Sequence, residues 1–263
     1  MSQPGARRPG ARQPGASQAP RLSLVIPAHN EEARLPQSLP QAIEFAASFA
    51  GGAEILLVDN ASTDRTRAIA EAAAAAHPEL RVLSEPRRGK GAAVRRGALA
   101  AHGEWVFFAD ADLSMPIEQT TRFLPPALAT DVAIASREAP GARRFGEPPG
   151  RHRLGRLFNW LVQILTLPGI RDSQCGFKCF RREVAQDLFA RQVEDGWAFD
   201  VEILLLARRL GYQVVEVPID WHYRQQSRVH PLRDGLAMAL AVLRIRWRHR
   251  GLVQCSRAPK RQE

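Results

Sequence analysis

The chain has 263 residues, of which 45% are hydrophobic, and a formal net charge of +10. That length supports one large α/β domain or two small ones around a sizeable core, and no stretch approaches the ~18 consecutive apolar residues of a membrane-crossing helix. The charge sits at the ends, +4 in residues 1–21 and +6 in residues 244–263, so residues 22–243 are neutral; this pattern suits an anionic membrane surface, while the neutral body and the lack of aromatics in the tails 1–20 and 249–263 argue against nucleic acid.

Residues 1–20 are rich in Pro, Gly, Ala, Gln and Arg without periodicity and read as a disordered basic tail lacking a secretory h-region. Leu22 to Ile26 is the first strand. Pro27-Ala28-His29-Asn30-Glu31-Glu32 follows as a strand-to-helix turn, with Asn30 as N-cap and two acids in the first turn of a helix reaching about Phe49. Glu54 to Val58 is a second strand ending in Asp59-Asn60, and Thr63 or Asp64 caps an alanine-rich helix to about Ala76. Leu80 to Leu83 is a third strand, followed by the loop Pro86–Gly91 and a helix to Ala101. Trp105 to Ala109 is apolar without alternation, as in a central parallel strand covered on both faces, and it ends in Asp110 and Asp112. A helix from about Pro116 and a strand at Val132 to Ala135 complete a β-α series, which predicts a mostly parallel sheet flanked by helices.

From Ser136 to Arg156 the chain is rich in arginine, glycine and proline and reads as an irregular loop. A helical stripe follows (Leu154, Leu157, Phe158, Leu161, Ile164, Leu165), then a strand pair or extended loop over Asp172–Phe180. Trp197 to Glu202 opens a helix to Leu210, and Gln213 to Val217 is a strand. A last amphipathic helix sets Leu232, Leu236, Leu240, Leu243 and Trp247 against Arg233, Arg244 and Arg248. The expected organisation is a disordered tail over 1–20, one α/β domain over 21–230, an amphipathic helix over 231–250 and a basic tail over 251–263. Cys175, Cys179 and Cys255 are odd in number and lack zinc-ligand spacing, which points to a reduced, cytoplasmic compartment.

The fingerprint G-x-G-x-x-G is absent after the first strand, so a standard dinucleotide-binding domain is disfavoured. Polar residues gather at strand ends instead: Pro27, Asn30 and Glu31, then Asp59, Lys90, and Asp110 with Asp112. In open α/β sheets ligands bind beyond the carboxyl ends of the strands. Two acids spaced as Asp110 and Asp112 either hold a hard divalent cation on a phosphate-bearing ligand or form a solvated acidic turn.

Taken in order and spacing, V-I-P-A-H-N-E-E, V-D-N-A-S-T-D-R-T, R-G-K-G-A-A-V-R-R-G and F-A-D-A-D-L-S resemble a family 2 glycosyltransferase of the GT-A fold. The later D-S-Q-C-G-F-K-C-F and W-A-F-D-V-E-I-L-L resemble the dolichyl-phosphate or polyprenyl-phosphate glucosyltransferase branch, near the dolichyl-phosphate mannose synthases. The resemblance implies that Pro27, Asn30, Glu31 and Asp59 line a uridine pocket beside Lys90. It implies too that Asp110 and Asp112 hold Mg²⁺ or Mn²⁺ on the diphosphate of a UDP-sugar. The implied reaction moves a hexose, glucose first, onto polyprenyl or dolichyl phosphate with inversion. The alternatives are a GDP-mannose-dependent polyprenyl-phosphate mannosyltransferase and a family 2 transferase acting on a sugar hydroxyl. Leu113-Ser114 stands where the eukaryotic glucosyl branch tends to have glycine after the D-x-D.

A phosphate acceptor arrives largely as a dianion and needs cations to aim it more than a base to deprotonate it. Arg137, Arg151, Arg153 and Arg156 are candidates, since guanidinium pairs with phosphate in bidentate geometry. Arg228 matches a cationic loop of the mannose synthases. Asp200 and Glu202 cannot share a helix face, and Asp200 is the one expected in the cleft, in an orienting or basic role. Arg137, Asp112 and Asp200 are the residues expected nearest the chemistry. The helices at about 153–167 and 232–248 either pack on the sheet or lie in a membrane interface, predicting a peripheral protein on the cytoplasmic face.

Overall fold

The computed structural model describes residues 19–224 and 231–252. In chain order the elements are β1 (Leu22–Ala28), α1 (Leu35–Ser48), β2 (Ala53–Asp59), α2 (Thr66–Ala76), β3 (Leu80–Ser84), α3 (Lys90–Ala100) and β4 (Trp105–Ala109). A 3-10 turn at Ile117–Phe123 leads to β5 (Val132–Ser136), β6 (Arg143–Phe145) and α4 (Pro149–Leu165). Then come β7 (Phe177–Arg181), α5 (Arg182–Arg191), α6 (Phe199–Arg209), β8 (Val214–Pro218), β9 (Asp220–His222) and α7 (Pro231–Arg248).

The main sheet has seven strands in the order β3-β2-β1-β4-β7-β5-β8. All pairings are parallel except those of β7, which runs antiparallel to both β4 and β5. Strands β2, β4 and β5 are almost wholly buried because both faces are covered, which is why their sequences are apolar without alternation. Alternate residues feed two cores. Leu24, Ile26, Ile55, Leu57 and Phe107 face α1 and the 3-10 turn, while Val25, Leu56, Val58, Val106 and Phe108 face α3, α5 and α6. A small parallel pair, β6 with β9, stands apart from this sheet.

The expected helix starts were early. Asn30 is not an N-cap: it lies in the left-handed region at φ 52°, and α1 begins at Leu35 with a proline in its first turn and no acid there. Helix α2 begins at Thr66, later than expected; Arg65 makes no cap bond, but the expected Asp64 accepts from the Thr66 N–H at 2.9 Å through Oδ1. The arginine-rich stretch is not one loop, since Arg143–Phe145 is a strand and α4 starts at Pro149, where proline's fixed φ suits a first helical turn. The segment after Pro116 closes as a 3-10 turn, and Asp172–Phe180 yields one strand.

Both predicted amphipathic stripes turn outward in part. In α4, Phe158, Val162 and Leu165 pack inward, while Leu157, Trp160 and Ile164 are exposed. In α7 the inward residues are Ala241, Val242 and Ile245, and the larger Leu240, Leu243 and Trp247 face outward. The two helices pack against each other.

Candidate active site

Three loops at the carboxyl edge of the sheet are stitched together by polar residues. The Thr63 N–H donates to Asn30 Oδ1 at 2.7 Å, and the Glu31 N–H donates to Thr66 Oγ1 at 2.6 Å. These bonds explain the positive φ of Asn30, because a local cap gave way to a tie between the loops after β1 and β2. Asn60 ties the third loop: its Nδ2 donates to the carbonyls of Glu85 and Arg87, and its Oδ1 accepts from Gly89 N–H at 2.8 Å. Gly89 has φ +143°, and a Cβ there would lie 2.0 Å from the Asp195 carbonyl.

These loops wall a cavity of about 990 Å³, within the size range of small-molecule sites. Its acidic side is built by β4 and α6. Asp110 pairs with Lys90 Nζ at 2.5 Å. Burial alone would lower the Lys90 pKa, but Asp110, Asp200 and Asp112 outweigh it and hold the ammonium above its ordinary value. Asp112 follows two residues on, its Oδ1 accepting from the Ser114 N–H at 3.0 Å and hydroxyl at 2.7 Å. The antiparallel entry of β7 sets Phe177 opposite Ala109, so Gly176 lies against Asp110. A Cβ at Gly176 would sit 1.8 Å from Asp110 Oδ2, so the carboxylate's position depends on this glycine. Asp200 also lines the cavity, and Lys178 Nζ donates to its Oδ1 at 2.6 Å. Burial raises the Asp200 pKa by more than Lys178 and Lys90 lower it. Trp197 closes this side, with Lys90 Nζ 5.6 Å from its ring centre.

A second set of lining residues carries guanidinium groups. Arg137, at the end of β5, donates Nε and Nη2 to buried Asp172 at 2.7 and 2.8 Å. Burial would raise the Asp172 pKa, but Arg137 brings it down to about 2. Arg144, from β6, donates to Glu138 at 2.5 Å and also to Glu147. Both guanidinium groups lie over Trp221 of β9, 5.3 and 5.9 Å from the ring centre. Arg156 of α4 lines the same cavity and is exposed.

Of the residues singled out from sequence, Pro27, Glu31, Lys90, Asp110, Asp112, Arg137, Arg156 and Asp200 line this cavity. Asn30 and Asp59 do not; Asn30 links loops behind the wall, and buried Asp59 accepts from the Ser62 N–H, so the wall residue at the end of β2 is Asn60. Arg153 is exposed on α4 away from the cavity lining. The Arg151 side chain and Arg228 lie outside the described residues. Glu202 faces elsewhere, accepting from the Val193 and Glu194 N–H groups and from His249. Arg144, Trp197 and Trp221 were missed; an arginine-rich stretch was the only signal for the first. Cys175 and Cys179 are buried free thiols, and burial pushes the former up to about 12.

Carboxylates and guanidinium groups gathered at the strand ends of a mostly parallel sheet suit phosphate-bearing ligands. The Glycosyl transferase family 2 model matches residues 23–189, and the chain belongs to that family. Within it, the likeness is to dolichyl-phosphate beta-glucosyltransferases. The one from Drosophila melanogaster is 36% identical, with 82% of this chain and 72% of that protein covered. The one from Dictyostelium discoideum is 33% identical, with 87% and 74% covered. The fold is GT-A: it matches Mycobacterium tuberculosis glucosyl-3-phosphoglycerate synthase, solved with Mn²⁺, UDP and phosphoglyceric acid, at a TM-score of 0.66 and 22% identity, covering 90% of this chain and 80% of that one.

Proposed function

We propose that this glycosyltransferase moves glucose from UDP-glucose to dolichyl phosphate, or a related polyprenyl phosphate, with inversion at the anomeric carbon. The observation that carries this is that two sets of side chains line one cavity, the carboxylates Asp110, Asp112 and Asp200 and the guanidinium groups of Arg137, Arg144 and Arg156. The first set suits a diphosphate shared with a cation, and the second suits a phosphate acceptor. The attacking oxygen belongs to the acceptor phosphate, whose second pKa near ~6 leaves it largely ionised. It bonds to the anomeric carbon as the bond to the diphosphate breaks, so an α-linked donor gives a β-linked product. Arg137 keeps Nη1 uncommitted among the described residues and, with Arg156, aims the acceptor.

Asp110 and Asp112 would hold Mg²⁺ or Mn²⁺. The donor set fits: two hard carboxylates lining the same cavity match a cation shared with substrate phosphates. Bound there, it supplies Lewis-acid neutralisation of the leaving diphosphate. Gly176→Ala is expected to push the Asp110 carboxylate aside, raising the metal concentration for half-maximal activity by about tenfold while the far-UV spectrum stays unchanged. An unshifted metal titration would show that Asp110 is not a ligand.

Purified protein incubated with a panel of UDP- and GDP-hexoses, a short polyprenyl phosphate and either metal should yield a single hexosyl-phosphoryl-polyprenol by mass. GDP-mannose as the preferred donor would correct the sugar; no glycolipid from any donor would overturn the reading. A sugar hydroxyl as acceptor is the second reading, favoured by Asp200, a buried carboxyl facing the cavity. That acceptor needs a true base, so Asp200→Asn would then abolish turnover.

The protein would work as a peripheral enzyme on the cytoplasmic face of an anionic membrane. No helix among the described residues is long and apolar enough to cross one. Leu157, Trp160 and Ile164 of α4 and Leu240, Leu243 and Trp247 of α7 are exposed beside exposed Arg244, Arg246, Arg248 and Arg250, the composition of an interfacial helix. Leu243→Glu with Trp247→Glu should lower binding to anionic liposomes at low salt about tenfold or more, with turnover of a short soluble acceptor kept. Undiminished liposome binding would overturn the assignment of this face.

A further inference from the structure

The acidic wall contains an ammonium that the reaction as described does not use. Lys178 lies in β7, opposite Phe108 of β4 and Ile134 of β5. It is 0% exposed. Its Nζ donates to Asp200 Oδ1 at 2.6 Å and to the Cys175 carbonyl at 2.7 Å, and it lies 5.3 Å from the Phe108 ring centre. Desolvating an ammonium and a carboxylate costs several kcal/mol each, and apolar residues of similar volume commonly serve a core as well or better. A pair retained here calls for a reason beyond packing.

Asp200 offers one. It sits in the first turn of α6 but makes no cap; the helix has no side-chain cap hydrogen bond. Only its Oδ1 is hydrogen-bonded among the described residues, although the residue lines the cavity. Glu202, two residues on, shows the contrast, since both of its oxygens are engaged by protein groups. A carboxylate oxygen left over in a cavity that binds phosphates repels those phosphates and accepts from hydroxyls. The hydroxyl-bearing group of the proposed reaction is the donor hexose.

We propose that Lys178 is a positioning residue: by holding Oδ1 of Asp200 it presents Oδ2 to a hydroxyl of the donor hexose and so sets which hexose is accepted. This rests on the nucleotide-sugar reading of the site. The test is a cycle of Asp200→Asn, Lys178→Met and the double variant, each assayed for kcat/KM with UDP-glucose and with an epimeric UDP-hexose. Asp200→Asn is expected to lower the discrimination ratio about tenfold, the scale of one lost substrate hydrogen bond. Lys178→Met should lower it equally, and the double variant no further. A merely structural lysine would lower stability without moving the ratio. Should Lys178→Met fail to fold, the comparison of Asp200→Asn with the electrically neutral double variant still decides, because both must show the same ratio. A further loss in the double variant, or a wild-type ratio in Lys178→Met, would overturn the role of Lys178. A wild-type ratio in Asp200→Asn would overturn that of Asp200 and Lys178 together. Wild-type protein that transfers no hexose at all would instead overturn the reading of the site.

Discussion

Asp112→Asn should lower kcat/KM by about 10³-fold, close to 4 kcal/mol of barrier, the scale of lost electrostatic stabilisation at a leaving group. The melting temperature should move by no more than about 2 °C, because the change is half-exposed and isosteric. Asp112 is the cleaner probe of the acidic wall. Among the described residues its hydrogen bonds run only to Ser114, and both go to one oxygen, so an amide oxygen can keep them. Asp110 is the partner of half-buried Lys90, and its removal would mix lost chemistry with an orphaned ammonium. Initial rates over a metal titration, with a thermal melt of the same sample, check the prediction. Turnover within tenfold of wild type would show that this carboxylate has no part in holding the diphosphate.

Arg137→Ala is expected to destabilise the fold by about 3–5 kcal/mol, because it leaves a buried carboxylate without its ion partner. For a domain of this size that corresponds to roughly 10 °C in Tm. Asp172 is 4% exposed and takes two of the guanidinium's nitrogens, and lysine cannot reproduce that fork. Arg137→Ala combined with Asp172→Asn should recover most of the stability, since neither charge is then buried alone. The double variant should still show a KM for the acceptor raised about tenfold, which separates the structural from the binding role. The pair also predicts acid sensitivity. The Asp172 pKa is about 2 in the folded protein against an ordinary 3.8, so its contribution, about 2 kcal/mol by linkage, is complete above pH ~4 and lost as pH falls toward 2. Melts at pH 6 and pH 3 should show this loss in the wild type and not in the double variant.

The parallel half of the sheet was legible because burial on both faces writes itself as uninterrupted apolar runs, Leu22–Ile26 and Trp105–Ala109 among them. Asp110 and Asp112 were legible because they end such a run abruptly. What escaped was set by distant contacts. Asn30 has the composition of a cap, yet its bonds go to residues more than thirty positions away. Strand direction has no local signature, so nothing in F-K-C-F-R announced that β7 runs against its neighbours and brings Lys178 to Asp200. Helix α5 went unread, as did β6 and β9, whose three residues each are too few for any period to show. Arg144 and Trp221 meet only because β6 and β9 pair across more than seventy residues. The arginines of α4 were placed in a loop because P-P-G-R reads as a break, although proline is at home in a helix's first turn.

The 2.5 Å contact of Lys90 with Asp110 has a consequence for handling the protein. Lys90 supplies a counter-ion at the acidic rim, so the fold there does not depend on an inorganic one. Chelators should therefore silence the enzyme without unfolding it, and readdition of metal should restore it at once.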